Sequence, residues 1–277
     1  MSAAAHGREP VPPEERTILA MGGGGFTMEP SNPLLDDYVL SLTHAAEPRI
    51  LFLPTAAGDT SAPINAFRER FGGRTCVAEH LSLFRLNETR RPLREIVLEQ
   101  DIVYVGGGSM RNLLAVWRAH EVDRILIEAW ERGVVLAGLS AGAMCWFQAG
   151  VTRSSGPPEA LEGLGLLEGS LSVHADGEPE RLPVWLSLLR EGAIPGGWAL
   201  DDGVGLLFRG RRLDRLVSSR PGAEAQRVDA IAGEVLRRRL QPDLLGSRAG
   251  DPLGGYDEAV EELRRVNRLR RERGRRR

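Results

Sequence analysis

The sequence predicts an α/β fold: a doubly wound, mostly parallel sheet with helices on both faces. Short apolar runs alternate with amphipathic stretches over the first half of the chain, as strands and helices do in successive βαβ units. Some of those runs, such as Arg49-Ile-Leu-Phe-Leu-Pro54, are apolar without alternation, the pattern of a strand covered on both faces. Three strand ends carry special turns: Gly22-Gly23-Gly24-Gly25, Gly106-Gly107-Gly108, and Gly138-Leu-Ser-Ala-Gly142. Ligand sites of such sheets gather at the carboxyl ends of the strands.

In chain order, residues 1–16 are small, polar and Pro-containing and are expected to form a disordered arm. The first strand is 17–21, followed by a glycine turn that is no phosphate loop, since no Gly-Lys-Ser/Thr follows it. Residues 33–46 read as a helix with Leu34, Leu35, Tyr38, Val39 and Leu42 on one face. Then come a strand (49–54), a helix (62–71), a strand (75–81), a helix (91–99) and a strand (101–105). Two helices (112–119 and 122–132) lead to the strand 134–137. After the third special turn and an apolar helix, residues 151–167 are rich in Gly, Pro and Ser and read as a long surface loop. A strand at 169–173, a helix at 181–191 and a strand at 197–200 follow. Short strands over 205–209, 212–218 and 224–240, with turns at 209–211, 220–222 and 232–233, form a short C-terminal β-rich segment. The domain therefore spans 17–240, and 241–277 is a polar, Arg-rich extension with a helix at 257–270.

The 277 residues, 42% hydrophobic, suffice for one large core. A formal net charge of −2 argues against a general nucleic-acid binder. The chain has no Lys, so its Arg content is weak evidence for any one Arg site. The two cysteines, Cys76 and Cys145, match no metal spacing and point to a reduced, cytoplasmic setting. No apolar run is long enough for a signal peptide or a membrane span.

The chemistry concentrates at Ser140. An apolar run, Gly-x-Ser-x-Gly and a second apolar segment give the strand, sharp turn and helix of a nucleophile elbow. A serine nucleophile needs a base, and of the 5 histidines His174 alone follows Ser140. No Asp lies between Ser140 and His174, so the order Ser, acid, His of an α/β-hydrolase fits poorly. Asp201 and Asp202 end a short strand and supply an acid in the order Ser, His, acid. Asp202 is the preferred residue and Asp201 the alternative. The backbone N–H of Ala141 and one from the Gly106–108 turn are the natural oxyanion donors.

These residues resemble the peptidase E-like serine peptidases of family S51, a family that includes the cyanophycinases. The likeness rests on Tyr104-Val-Gly-Gly-Gly-Ser-Met-Arg-Asn-Leu-Leu114, Gly138-Leu-Ser-Ala-Gly-Ala143, His174 and Leu200-Asp-Asp-Gly203. The resemblance implies a flavodoxin-like sheet related to class I glutamine amidotransferases and a triad with no metal or other cofactor. Ser140 would be its nucleophile, His174 its base and Asp202 its acid, with oxyanion donors at Gly107 and Ala141. It implies small peptides as substrates, dipeptides among them. An N-terminal aspartate preference would draw on a basic residue beyond the histidine, for which Arg181 is the candidate. A homodimer would fit the resemblance. The alternatives are a non-catalytic binding or regulatory protein on the same fold and an α/β-hydrolase-type esterase.

Overall fold

Two sheets, not one, organise the chain. The computed structural model describes residues 8–231 and 234–246. Its first half supplies strands β1 (Thr17–Met21), β2 (Arg49–Leu53), β3 (Val77–His80), β4 (Ile102–Val105) and β5 (Val135–Leu139). Between them lie helices α1 (Gly25–Met28), α2 (Leu34–Ser41), α3 (Ser61–Phe71), α4 (Leu93–Leu98), α5 (Met110–Ala119) and α6 (Val122–Glu131). The second half holds α7 (Ala141–Met144), β6 (Phe147–Thr152), β7 (Glu159–Glu162), β8 (Leu167–Ser172), α8 (Arg181–Arg190) and β9 (Gly197–Leu200). It ends with β10 (Val204–Arg209), β11 (Arg212–Ser218), β12 (Ala225–Ile231), β13 (Glu234–Leu240) and β14 (Asp243–Leu244).

The main sheet runs β14-β11-β10-β1-β5-β4-β2-β3, with β1, β5, β4, β2 and β3 mutually parallel and β10 antiparallel to β1. Strands β1, β4 and β5 are buried at every residue, as their unbroken apolar sequences require. On one face, α1, α2 and α3 cover an aromatic cluster in which Phe52 and Phe67 stack at 4.9 Å and Phe26 meets Tyr104 edge-on at 5.2 Å. On the other, Trp117 of α5 and Trp130 of α6 pack into a core continuous with Trp146, Leu171 and Trp198. That core joins the main sheet to a second sheet, ordered β13-β12-β9-β8-β6-β7, whose far side is covered by Trp185 and Leu189 of α8.

Several expectations change. The segment 151–167 is no loop: it contains the end of β6, all of β7 and the start of β8. Strand β7 sits at a sheet edge with alternating half-buried and exposed residues, so its apolar content is too low to read as a strand. The apolar helix after Ser140 stops at Met144, and Phe147 already begins β6. The C-terminal β-rich segment is divided: β10, β11 and β14 extend the main sheet, while β12 and β13 extend the second. Strand β14 carries the domain past residue 240, and Leu245 N–H donates to the Ser218 carbonyl at 2.8 Å. Residues 8–16, expected in a disordered arm, lie against the domain: Val11 N–H donates to the Glu131 carbonyl at 2.8 Å, and Arg16 covers the Trp130 ring. The expected turn at 232–233 and the helix at 257–270 lie outside the described residues.

Candidate active site

Ser140 ends the central strand β5 in a conformation that strands and helices do not use, φ 54° and ψ −112°. The chain reverses there because the residues two positions to either side lack a Cβ. One on Gly138 would overlap the Gly142 carbonyl, and one on Gly142 would overlap the carbonyl of Val105. The Ser140 N–H is fixed to the Met21 carbonyl at 3.0 Å, and its own carbonyl accepts from Ala143 and Met144 at 2.9 Å. The hydroxyl is left facing a cavity of about 510 Å³ above the strand ends.

His174 and Asp202 arrive from the second sheet, just past the ends of β8 and β9. Ser140 Oγ lies 2.8 Å from His174 Nε2, and His174 Nδ1 lies 2.5 Å from Asp202 Oδ1. His174 too has a positive φ, 55°, uncommon for a non-glycine residue. Its carbonyl accepts from Gly177 at 3.1 Å and Glu178 at 2.8 Å, which locks that turn. Strained backbone at two facing polar residues is a pattern concentrated at functional sites.

The two aspartates separate cleanly. Asp202 faces the imidazole, while Asp201 Oδ2 accepts the Glu224 backbone N–H at 2.9 Å. Burial raises the Asp201 carboxyl above the usual range, against the pull of that hydrogen bond. Gly107 and Ala141 lie beside the serine. Gly107 lies over Ser140, so close that an added Cβ would stand 3.3 Å from the serine Cβ. Among the described residues, the N–H groups of Gly107 and Ala141 have no protein acceptor.

Arg181 does not line the cavity. It is buried in the first turn of α8, and its Nη2 donates to Glu178 Oε2 at 2.8 Å. Burial draws its guanidinium below the usual range, opposed by the neighbouring Glu178. Glu178 is the residue that reaches the cavity.

The sequence reading missed the supports. The four-glycine turn after β1 is a close backbone approach, and Gly23 packs against both His174 and Asp202. Asp176 Oδ1 accepts the Asp202 backbone N–H at 2.9 Å, and Arg220 lies between Asp176 and Glu29. The available signals were the run of glycines at a strand end and the His-Ala-Asp-Gly-Glu string after β8. Behind the turn, Asp36 is fully buried with Arg70 Nε 3.1 Å away and the Tyr104 hydroxyl donating to it at 3.4 Å. Burial pushes the Asp36 carboxyl up to about 7, with Arg70 pulling the other way.

No helix among the described residues is long and apolar enough to cross a membrane. The chain matches the model of Peptidase family S51 over residues 18–216. It is 47% identical over 231 residues to the uncharacterized peptidase YgaJ of Bacillus subtilis (strain 168), covering 83% of this chain and all of that one. Among solved structures it is similar to a peptidase from an acI-B1 Actinobacterium, with a TM-score of 0.63 at 19% identity over 82% of this chain and 94% of that one. A putative peptidase E protein from Listeria monocytogenes EGD-e gives a TM-score of 0.51 at 16% identity, over 82% of this chain and 99% of that one. Those two likenesses establish the fold, and the family match together with the Bacillus relative establishes the lineage, which rules out an α/β-hydrolase esterase. With the serine elbow, the family model and the Bacillus peptidase in agreement, the chain is a serine-type hydrolase that belongs to peptidase family S51.

Proposed function

We propose that this peptidase hydrolyses small peptides, dipeptides among them, through Ser140, His174 and Asp202 and a covalent acyl-enzyme. The carrying observation is the unbroken hydrogen-bond line from Ser140 Oγ through both ring nitrogens of His174 to Asp202. With Asp202 accepting from Nδ1–H, the imidazole presents a lone pair at Nε2. Nε2 takes the hydroxyl proton as Oγ attacks the scissile carbonyl. The carbonyl oxygen, now negative, is received by the N–H groups of Gly107 and Ala141. The proton passes from Nε2 to the departing amine, the C–N bond breaks, and the acyl group stays on Oγ. Water then repeats the attack with Nε2 as its base and frees the acid. The two free cysteines fit a reducing cytoplasm.

A second reading of the substrate, an N-terminal aspartate held by Arg181, draws on the Nε and Nη1 atoms of that residue, which are buried without a hydrogen-bond partner. The third nitrogen, Nη2, donates to Glu178 Oε2 at 2.8 Å.

The testing experiment is labelling with a fluorophosphonate probe, run beside hydrolysis of a mixed dipeptide pool. Wild type is expected to be labelled and active, and Ser140→Ala neither. Full activity in Ser140→Ala would sink the proposal.

A further inference from the structure

The cavity has two unlike ends, and the strand order assigns them to the two halves of a substrate. Strand β5, with Ser140 at its end, lies between β1 and β4, and β2 lies beyond β4. The turn after β1 places Gly23 against His174 and Asp202, so base and acid stand on the β1 side. Pro54 and Ala57 follow β2, Pro63 lies in α3, and Met28 ends α1, whose Phe26 packs on Phe52 and Phe67. Pro54, Ala57 and Pro63 line the cavity on the β2 side with Thr27 and Phe52, and Met28, whose Sδ accepts from the Gly24 N–H at 3.4 Å, lines it next to the turn after β1.

The chemistry fixes the substrate's direction. Nε2 must deliver a proton to the departing amine, so the departing residue lies at the His174 end, beside Gly177 and Glu178. The acyl residue, the one that becomes bonded to Oγ, is left with the β2 side. No ionisable side chain lines the cavity there among the described residues. Near the His174 end, Arg220 is paired with Glu29 and Asp176, and Arg181, whose Nη2 pairs with Glu178, does not line the cavity. A charged side chain on the acyl residue would lose water on the β2 side and gain no ionic partner there. An apolar side chain gains from the same burial, and Met28, unbranched and 45% exposed, can adjust to its shape.

We propose that the acyl subsite seats an apolar side chain of the first residue against Pro54, Ala57, Pro63 and Met28. This rests on the Ser140–His174–Asp202 reading and narrows its substrate class to peptides beginning with residues such as Leu or Met.

The test is a dipeptide series with a constant second residue, Leu-Ala, Met-Ala, Asp-Ala and Arg-Ala, with kcat/KM measured for each and fluorophosphonate labelling of Ser140 run in parallel. Leu-Ala and Met-Ala are expected to exceed Asp-Ala and Arg-Ala by about 100-fold, the scale set by an unpartnered buried charge. Ala57→Arg and Met28→Arg each place a cation on the wall, at positions with solvent access for the new side chain. Each is expected to raise the Asp-Ala to Leu-Ala ratio at least tenfold, and two sites guard against one variant misfolding. Labelled Ser140 without preference for Leu-Ala and Met-Ala over Asp-Ala overturns the subsite and leaves the triad standing. Asp-Ala as best substrate, with that preference lost in Arg181→Leu, overturns it in favour of the guanidinium. No labelling and no cleavage of any member overturns the triad and the subsite together.

Discussion

Gly23 and Asp202 are packed so closely that no side chain fits between them: a Cβ on Gly23 would overlap Asp202 Oδ1 and stand 2.9 Å from His174 Nδ1. The backbone after β1 is thus the floor of the hydrogen-bond line. Gly23→Ala is expected to leave the circular dichroism spectrum unchanged while lowering kcat by about 100-fold or more, because the acid must shift off the imidazole. Unaltered kcat in a folded Gly23→Ala would show that Asp202 can move without consequence.

The two neighbouring aspartates should separate in kinetics as they do in geometry. Asp202→Asn is expected to lower kcat by about 10⁴, as loss of the orienting carboxylate favours the wrong imidazole tautomer. Asp201→Asn weakens only the bond to the Glu224 N–H and is expected to cost about 1 kcal/mol of stability with kcat within a few-fold of wild type. Equal losses of kcat in the two variants would contradict this division.

Ser140 holds a positive φ that a side chain resists and glycine accepts. Ser140→Gly is therefore expected to be more stable than Ser140→Ala by about 1 kcal/mol in urea unfolding, although both lack the nucleophile. An alanine variant as stable as the glycine variant would mean that the elbow is not strained.

Asp36 gives a pH signature of its own. Its carboxyl titrates at about 7 in the folded chain, against 3.8 as its ordinary value, so the native state holds the proton more tightly than the unfolded state. Its contribution to stability is present in full below the ordinary value, is lost as pH rises from about 4 to 7, and is constant above. The loss is on the order of 4 kcal/mol at most, from about 1.4 kcal/mol per unit. Unfolding midpoints between pH 4 and 8 should show it, with the slope flattened in Asp36→Asn. A variant with the slope of wild type would place the titration elsewhere.

The parallel core was legible because β1, β4 and β5 are buried on both faces and so have apolar sequences from end to end. The meeting of Ser140, His174 and Asp202 was legible because a sharp turn needs glycines and because strand ends collect polar residues. The second sheet was not legible. Its strands are drawn from both sides of α8, and β7 and β13 lie at its edges, with mostly half-buried or exposed residues. Whether Arg181 meets solvent or Glu178 depends on the turn after His174, which no local pattern encodes. Gly23 escaped for a like reason: close approach to a residue distant in the chain leaves only a missing side chain as its trace.

Ser140 belongs to one sheet, and His174 and Asp202 to the other. In the proposed mechanism, Ser140 leaves the ribosome before His174 and Asp202 do, and is inert throughout that interval. By that mechanism, competence arrives only once β8 and β9 stand against β5, so assembly of the two sheets is itself the activating step. For the same reason, substitutions in the shared core at Trp146 or Trp198 should be felt as changes in how often the two halves of the machinery meet.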